Sequence, residues 1–115
     1  ASDVYKRQVI RDSNGFMEIN KKYGKLDGSW SRWYADGIKK EEGAYKNGTK
    51  VGTWSKYGMN GVVIEEWNFD NQGRNLYEVT YYDNGTVKEY KDYFSKTLQE
   101  YNADGSLKGD KVPFH

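Results

Sequence analysis

The chain has no cysteine among its 115 residues, one proline (Pro113) and one histidine (His115). Without cysteine there are no disulfides and no thiolate metal sites, and the redox compartment stays open. With the only histidine in last place, there is no base to activate a serine or threonine in a triad, and no His/Cys set for zinc. No apolar run is long enough for a membrane-crossing helix. Charge of one sign is also missing: 18 basic and 17 acidic residues leave a formal net charge of +1. No block of like charge stands out, so a nucleic-acid footprint is not indicated. No motif asks for a cofactor.

What the chain has in quantity is aromatic residues. A mean hydropathy of -1.06 with 30% charged residues would suggest disorder, but 17% of the residues are aromatic, eleven of them Tyr and four Trp. Disordered segments are poor in these types. Each large ring buries roughly 150–250 Å² and keeps a polar tip wet, which suits a thin fold whose interior is never far from water. The length is that of one domain, read here as residues 1–115.

The aromatics and glycines repeat. Gly15, Gly37, Gly61, Gly85 and Gly105 each follow Asn or Asp, at spacings of 22, 24, 24 and 20 residues. Eight residues after the first four come Tyr23, Tyr45, Phe69 and Tyr93, and shortly before the later ones come Tyr34, Tyr57, Tyr82 and Tyr101. A paired pattern at this period marks a repeat protein. Asp-Gly and Asn-Gly pairs such as Asp36-Gly37 and Asn47-Gly48 suit two-residue hairpin turns. About ten residues separate successive turns, one strand's worth. Period-2 alternation puts Trp67 and Phe69 on one face of their strand and Tyr77, Val79 and Tyr81 on one face of theirs. The sequence therefore predicts an all-β chain of about four hairpin units with a C-terminal cap near 105–115. Residues 87–101 also fit a helical stripe, through Val87, Tyr90, Phe94, Leu98 and Tyr101; the repeat register favours strand there. Gly43 lies two residues before Tyr45, and Gly52 two before Trp54, leaving room for a neighbouring strand's ring.

The segment from Tyr34 to Gly48, with Gly52-Thr53-Trp54, resembles the MORN-repeat variant found in bacteria: aromatic, x, Asn/Asp-Gly, a charged strand, Gly-x-Tyr, x-Asn-Gly, then Gly-x-Trp. The first unit keeps Gly28-Ser29-Trp30, while the third and fourth lose glycines. The resemblance implies a row of antiparallel hairpins in one elongated, single-layer, twisted sheet. It also implies a non-enzymatic interaction or scaffold module, some bacterial members being labelled antitoxin-like. The family has no catalytic residues to carry over.

Carboxylates are what remains for chemistry. Glu41, Glu42, Glu65, Glu66 and Glu89 recur four or five residues after the turn glycines. Two of them at a set separation would serve glycoside hydrolysis. A feature with the fold's own period reads more simply as a cross-strand ladder with Lys39, Lys40 or Lys88. The Asp/Asn-rich turns offer one acid each, too few for a calcium loop; they read as turn chemistry. The strongest lead is the aromatic set Trp30, Trp33, Trp54, Tyr57, Trp67, Tyr81 and Tyr82. A single-layer sheet cannot cover both faces, so some of these rings should form a binding surface as well as a core.

The leading expectation is thus a protein-binding module, using the sheet face or an open edge, with no catalysis, no metal and no cofactor. The alternative is carbohydrate or cell-wall binding through an exposed aromatic face. Choline- and glucan-binding modules are similar in composition but carry a tighter Gly-Trp and Trp-Tyr-Tyr pattern. The start, Ala1-Ser2-Asp3, fits a mature form after signal removal or a trimmed chain, with a lean to an exported or cell-envelope protein. Oligomeric state is left open.

Overall fold

A computed structural model describes residues 4–114. His115 and Ala1–Asp3, on which the histidine and chain-start readings rest, lie outside the described residues. The described chain is all strand and turn: β1 (Tyr5–Asp12), β2 (Gly15–Lys22), β3 (Lys25–Leu26), β4 (Gly28–Tyr34), β5 (Lys39–Lys46), β6 (Thr49–Tyr57), β7 (Val63–Phe69), β8 (Asn75–Tyr81), β9 (Val87–Asp92), β10 (Thr97–Tyr101) and β11 (Leu107–Pro113). They form one open antiparallel meander, ordered β1-β2-β4-β5-β6-β7-β8-β9-β10-β11, with the short β3 paired to β2. Ten strands at about 4.8 Å each account for most of the 56 Å long axis, which therefore runs across the strands. Residues 87–101 are the hairpin β9–β10, with no helix.

Hairpin turns alternate between the two ends of the strands, so the five repeat glycines line one rim. Four of those turns share a bonding pattern: in the first, Gly37 N–H donates to Tyr34 C=O and Tyr34 N–H to Ile38 C=O. The Asp36 carboxylate accepts from Ile38 N–H at 3.0 Å, as Asn60, Asn84 and Asp104 do in the equivalent turns. These are three-residue connections with a glycine-centred bulge, and the two-residue turns expected at Asp36-Gly37 and Asn60-Gly61 are corrected. The reason is that Asp and Asn here use their side chains to cap the turn from a right-handed conformation, and only the glycine has positive φ. The extra residue shifts the strand register beside Trp33, Tyr57 and Tyr81. Asn47-Gly48 is the two-residue type, with both φ positive (54° and 85°). Tyr23-Gly24 is another, without the Asn or Asp that would have announced it.

Only five described residues are buried: Ile19, Trp54 and Val79, with the polar Ser55 and Gln99. The rest of the interior is half-buried ring surface on both faces. Cross-strand partners share a face, so the register sorts the side chains. Trp30 opposite Gly43, and Trp54 opposite Trp67, define a first face. Ser31, Glu42, Ser55, Glu66, Val79, Tyr90 and Gln99 form a row across the second.

Candidate functional site

The first face is organised around Trp54, which is 2% exposed. Its ring lies on Gly43, where a Cβ would overlap the indole; glycine there is a requirement of close approach. In β6 three residues, Gly52 to Trp54, stand opposite that one glycine, a bulge that Gly52 (φ 71°) makes accessible. Trp30 tilts against Trp54 at 5.1 Å, Tyr45 meets it edge-on at 5.1 Å, and the Lys50 ammonium covers it at 4.5 Å. Its indole N–H donates to Ala44 C=O at 3.1 Å. Burial raises the Tyr45 phenol pKa, with the Glu41 charge adding to it.

One strand further on, the large residue moves to the other strand of the pair. Trp67 stands where Gly43 stands in the preceding unit, with Glu78 opposite it instead of a ring. Trp67 is half-buried, and among the described residues it takes part in no ring pair and its N–H in no hydrogen bond. Glu41, Lys50, Trp54, Trp67 and Phe69 line an open hollow of about 310 Å³. On the other side of Trp67 a hollow of about 150 Å³ is lined by Glu65, Glu78, Val79 and Thr80. Together they make a groove across β5 to β8 with Trp67 as its midline. Lys56 lies cross-strand from both Glu41 and Glu65, yet neither acid is in a close ion pair among the described residues. Glu78 is engaged: it accepts from Tyr93 O–H at 2.9 Å and from the Asn75 amide at 3.1 Å. Burial first, and that bond second, push the Tyr93 phenol up to about 12. The buried Asn75 Oδ1 has no hydrogen-bond partner among the described residues. A further hollow, beside Trp33 and the β1–β2 turn, has about 20 Å³, room for one water.

The second face uses similar residues to close itself. Tyr57 O–H donates to Glu42 at 2.5 Å and Tyr77 O–H to Glu66 at 3.2 Å, while Lys39 pairs with Glu42 at 2.8 Å. Lys39, then Tyr57, holds the Glu42 carboxyl below the usual range. Burial, then Glu42, pushes Tyr57 up to about 12. Burial, then the Glu66 charge, raises Tyr77 and Tyr81. Phe16 stacks on Trp33 at 4.9 Å, and Tyr77 on Tyr90 at 5.6 Å.

The expected site residues therefore do not form one platform. Trp30, Trp54 and Trp67 share the first face, Trp33, Tyr57 and Tyr81 the second, and Tyr82 sits at the rim, donating to Tyr101 C=O at 2.7 Å. The repeated acids divide in the same way: Glu41, Glu65 and Glu89 lie on the first face, Glu42 and Glu66 on the second. The expected cross-strand ladder is corrected: among the described residues Lys39 pairs with Glu42 inside β5, three residues along the same strand, while Lys40 and Lys88 lie over the rings of Tyr34 and Tyr82. Phe69, Lys50, Glu78 and Thr80 are the groove residues that sequence reasoning did not single out. The alternation of Trp67 with Phe69 was the available signal for the first of them.

No protein-family model and no curated protein matches the chain. A crystal structure of a mutant of S. aureus TarM in complex with fondaparinux, alpha-GlcNAc-glycerol and UDP is similar over 82% of this chain, at 10% identity and a TM-score of 0.50. Another TarM structure is similar at 12% identity and 0.49, and the accessory secretory proteins 1, 2 and 3 of Streptococcus pneumoniae at 12% and 0.48, each over 82% of this chain. This chain spans about a fifth of the length of those chains (21%, 21% and 18%). At 10% identity and a TM-score of 0.50, the likeness to the first of these is one of fold alone.

Proposed function

We propose that this protein is a non-enzymatic interaction module of MORN-like form, which holds a partner protein on its first face across Trp67. The observation that carries the reading is the groove on either side of Trp67. Among the described residues, an indole in no ring pair and no hydrogen bond lies between hollows rimmed by Glu41 and Glu65, neither of which is in a close ion pair. Half-exposed tryptophan in a concave setting is a residue type enriched among the anchors of protein interfaces. Neighbouring acids would add charge complementarity to a basic or polar partner. The test is affinity capture from lysate and envelope fractions with the wild-type protein and with Trp67→Ala. A partner recovered in near-equal amount by the wild type and lost by the variant supports the reading, and a toxin-like partner would favour an antitoxin role. Equal recovery by both removes the groove from the interface.

Carbohydrate binding is the second reading, favoured by the same indole lying among the Glu41 and Glu78 carboxylates and the Thr80 hydroxyl. Ring stacking on Trp67 would change tryptophan fluorescence on titration with glycans. A flat titration, together with a captured protein, rejects it.

A further inference from the structure

The two ends of the sheet are not equivalent. β11 carries the devices that blunt an edge strand: Gly109 (φ 74°) sits in a bulge opposite Gln99, and Pro113 ends the strand. β1 has neither glycine nor proline, and pairs with β2 through eight consecutive residues without a register shift. Tyr23 N–H donates to Val4 C=O at 2.9 Å, which makes that a hydrogen-bonded pair. Alternation then gives Lys6, Gln8, Ile10 and Asp12 the bonds to β2, and leaves the backbone of Tyr5, Arg7, Val9 and Arg11 aimed outward. All eight residues of β1 are exposed.

This edge is also basic. Lys6 stands directly opposite Lys21, a like-charge pair that costs stability, and Lys22 and Arg11 lie over the rings of Tyr5 and Phe16. The acids of the hairpin are Asp12 and Glu18, and Glu18 is already held by Arg7 at 2.9 Å. A second copy is a poor occupant. Its β1 would bring more cations to the same place, and its β11 offers Lys108 and Lys111 against Asp110 alone. Lysine on an edge excludes self-pairing while leaving the backbone template intact for a strand of opposite charge.

We infer that the β1 edge is a docking site for an extended acidic segment of a partner protein, which adds to the sheet as an antiparallel strand beside Tyr5–Asp12. Backbone bonds to Tyr5, Arg7, Val9 and Arg11 supply the affinity, and acids set against Lys6, on the face it shares with Lys21, supply the selection. The inference stands apart from the Trp67 groove, which is lined by residues of β5 to β8.

The probe is a blocked peptide of about eight residues alternating Glu with Val, compared with the same peptide carrying Lys for Glu. Binding is read by fluorescence anisotropy, and its location by amide hydrogen exchange of the full chain. The Glu peptide binds, more weakly as salt rises, and slows exchange at Tyr5, Arg7, Val9 and Arg11; the Lys peptide does not bind. Val9→Pro removes an outward N–H that β2 does not use, and weakens the Glu peptide by about tenfold or more. Lys6→Glu, which leaves the backbone untouched, weakens it similarly, and Trp67→Ala leaves it unchanged. Each variant is first shown to melt with the wild type's cooperativity. The proposal is overturned if neither peptide binds, if Val9→Pro and Lys6→Glu bind the Glu peptide as the wild type does, or if the protection falls on β11. Protection of β1 that grows with protein concentration in the absence of peptide would assign the edge to a second copy instead, and also overturns it.

Discussion

The two faces of this sheet are built from the same residue types and put them to different uses. On the second face the tyrosine hydroxyls are tied to glutamates, Tyr57 to Glu42 and Tyr77 to Glu66, and Lys39 neutralises one of those acids. Val79 and Gln99 close the row between them, Gln99 donating to Gly109 C=O across to the edge strand at 3.1 Å. On the first face the sealing is local. Trp54 is enclosed by Trp30, Tyr45, Lys50 and Gly43, and one strand away Trp67 is left with hollows on both sides. A sheet one layer thick must stabilise itself without a conventional core, and here one face and half of the other do so. The remaining half-face is what the fold leaves available for a partner.

That contrast is open to direct attack. Trp54→Ala should cost the most, about 3–5 kcal/mol in urea unfolding, because it removes the most enclosed ring among the described residues. Gly43→Ala should follow at about 1–3 kcal/mol, since the added methyl would overlap the Trp54 indole, which is itself enclosed by Trp30, Tyr45 and Lys50. Tyr57→Phe on the second face should cost about 1–2 kcal/mol and leave ligand binding untouched, Glu42 keeping Lys39 as its partner. Trp67→Ala should cost the least, about 1 kcal/mol or less, while removing partner capture. A Trp67 variant as unstable as the Trp54 variant would make the first face all core and erase the distinction.

The tyrosines give both faces a pH signature, Tyr57 bonding to Glu42 on the second and Tyr93 to Glu78 on the first. Tyr57 and Tyr93 are each pushed from an ordinary 10 to about 12, so the folded chain keeps phenol protons that the unfolded chain releases. Their contribution to stability is complete below about pH 10 and is lost as pH rises through about 12. Glu42, held low, contributes in the opposite sense: its share is present above the ordinary carboxylate range and lost as pH falls through its lowered value. Thermal melts across the alkaline range, with phenolate absorbance followed in parallel, check the first statement. Glu42→Gln should bring the Tyr57 titration down and leave that of Tyr93, whose partner is Glu78, in place.

Much of the architecture was legible from residues that have a single use. Asn or Asp followed by Gly every twenty-odd residues fixes a rim of turns, and ten residues between turns admit a strand and little else. Gly43 beside Tyr45 announced a ring's approach, and that ring is Trp54. What stayed hidden depends on register. The bulges at the glycine turns, and the one at Gly52, decide which face each aromatic takes. Within a strand, the odd spacing of three already separates Trp33 from Trp30 and Tyr57 from Trp54; from strand to strand, only register shows which rings meet. Tyr23-Gly24 also escaped, because tyrosine with positive φ (52°) has no turn signature. The groove was half-legible: Trp67 and Phe69 alternate as a strand face should, but Lys50, Glu78 and Thr80 join them only through the pairing of β5 to β8.

The most direct measurement is quantitative affinity capture with three proteins side by side: wild type, Trp67→Ala and Tyr57→Phe, each first shown to be folded. The first-face account predicts one partner recovered in near-equal amount by wild type and Tyr57→Phe, and lost with Trp67→Ala. Recovery undiminished by Trp67→Ala, or abolished by Tyr57→Phe alone, would place the contact elsewhere and contradict it.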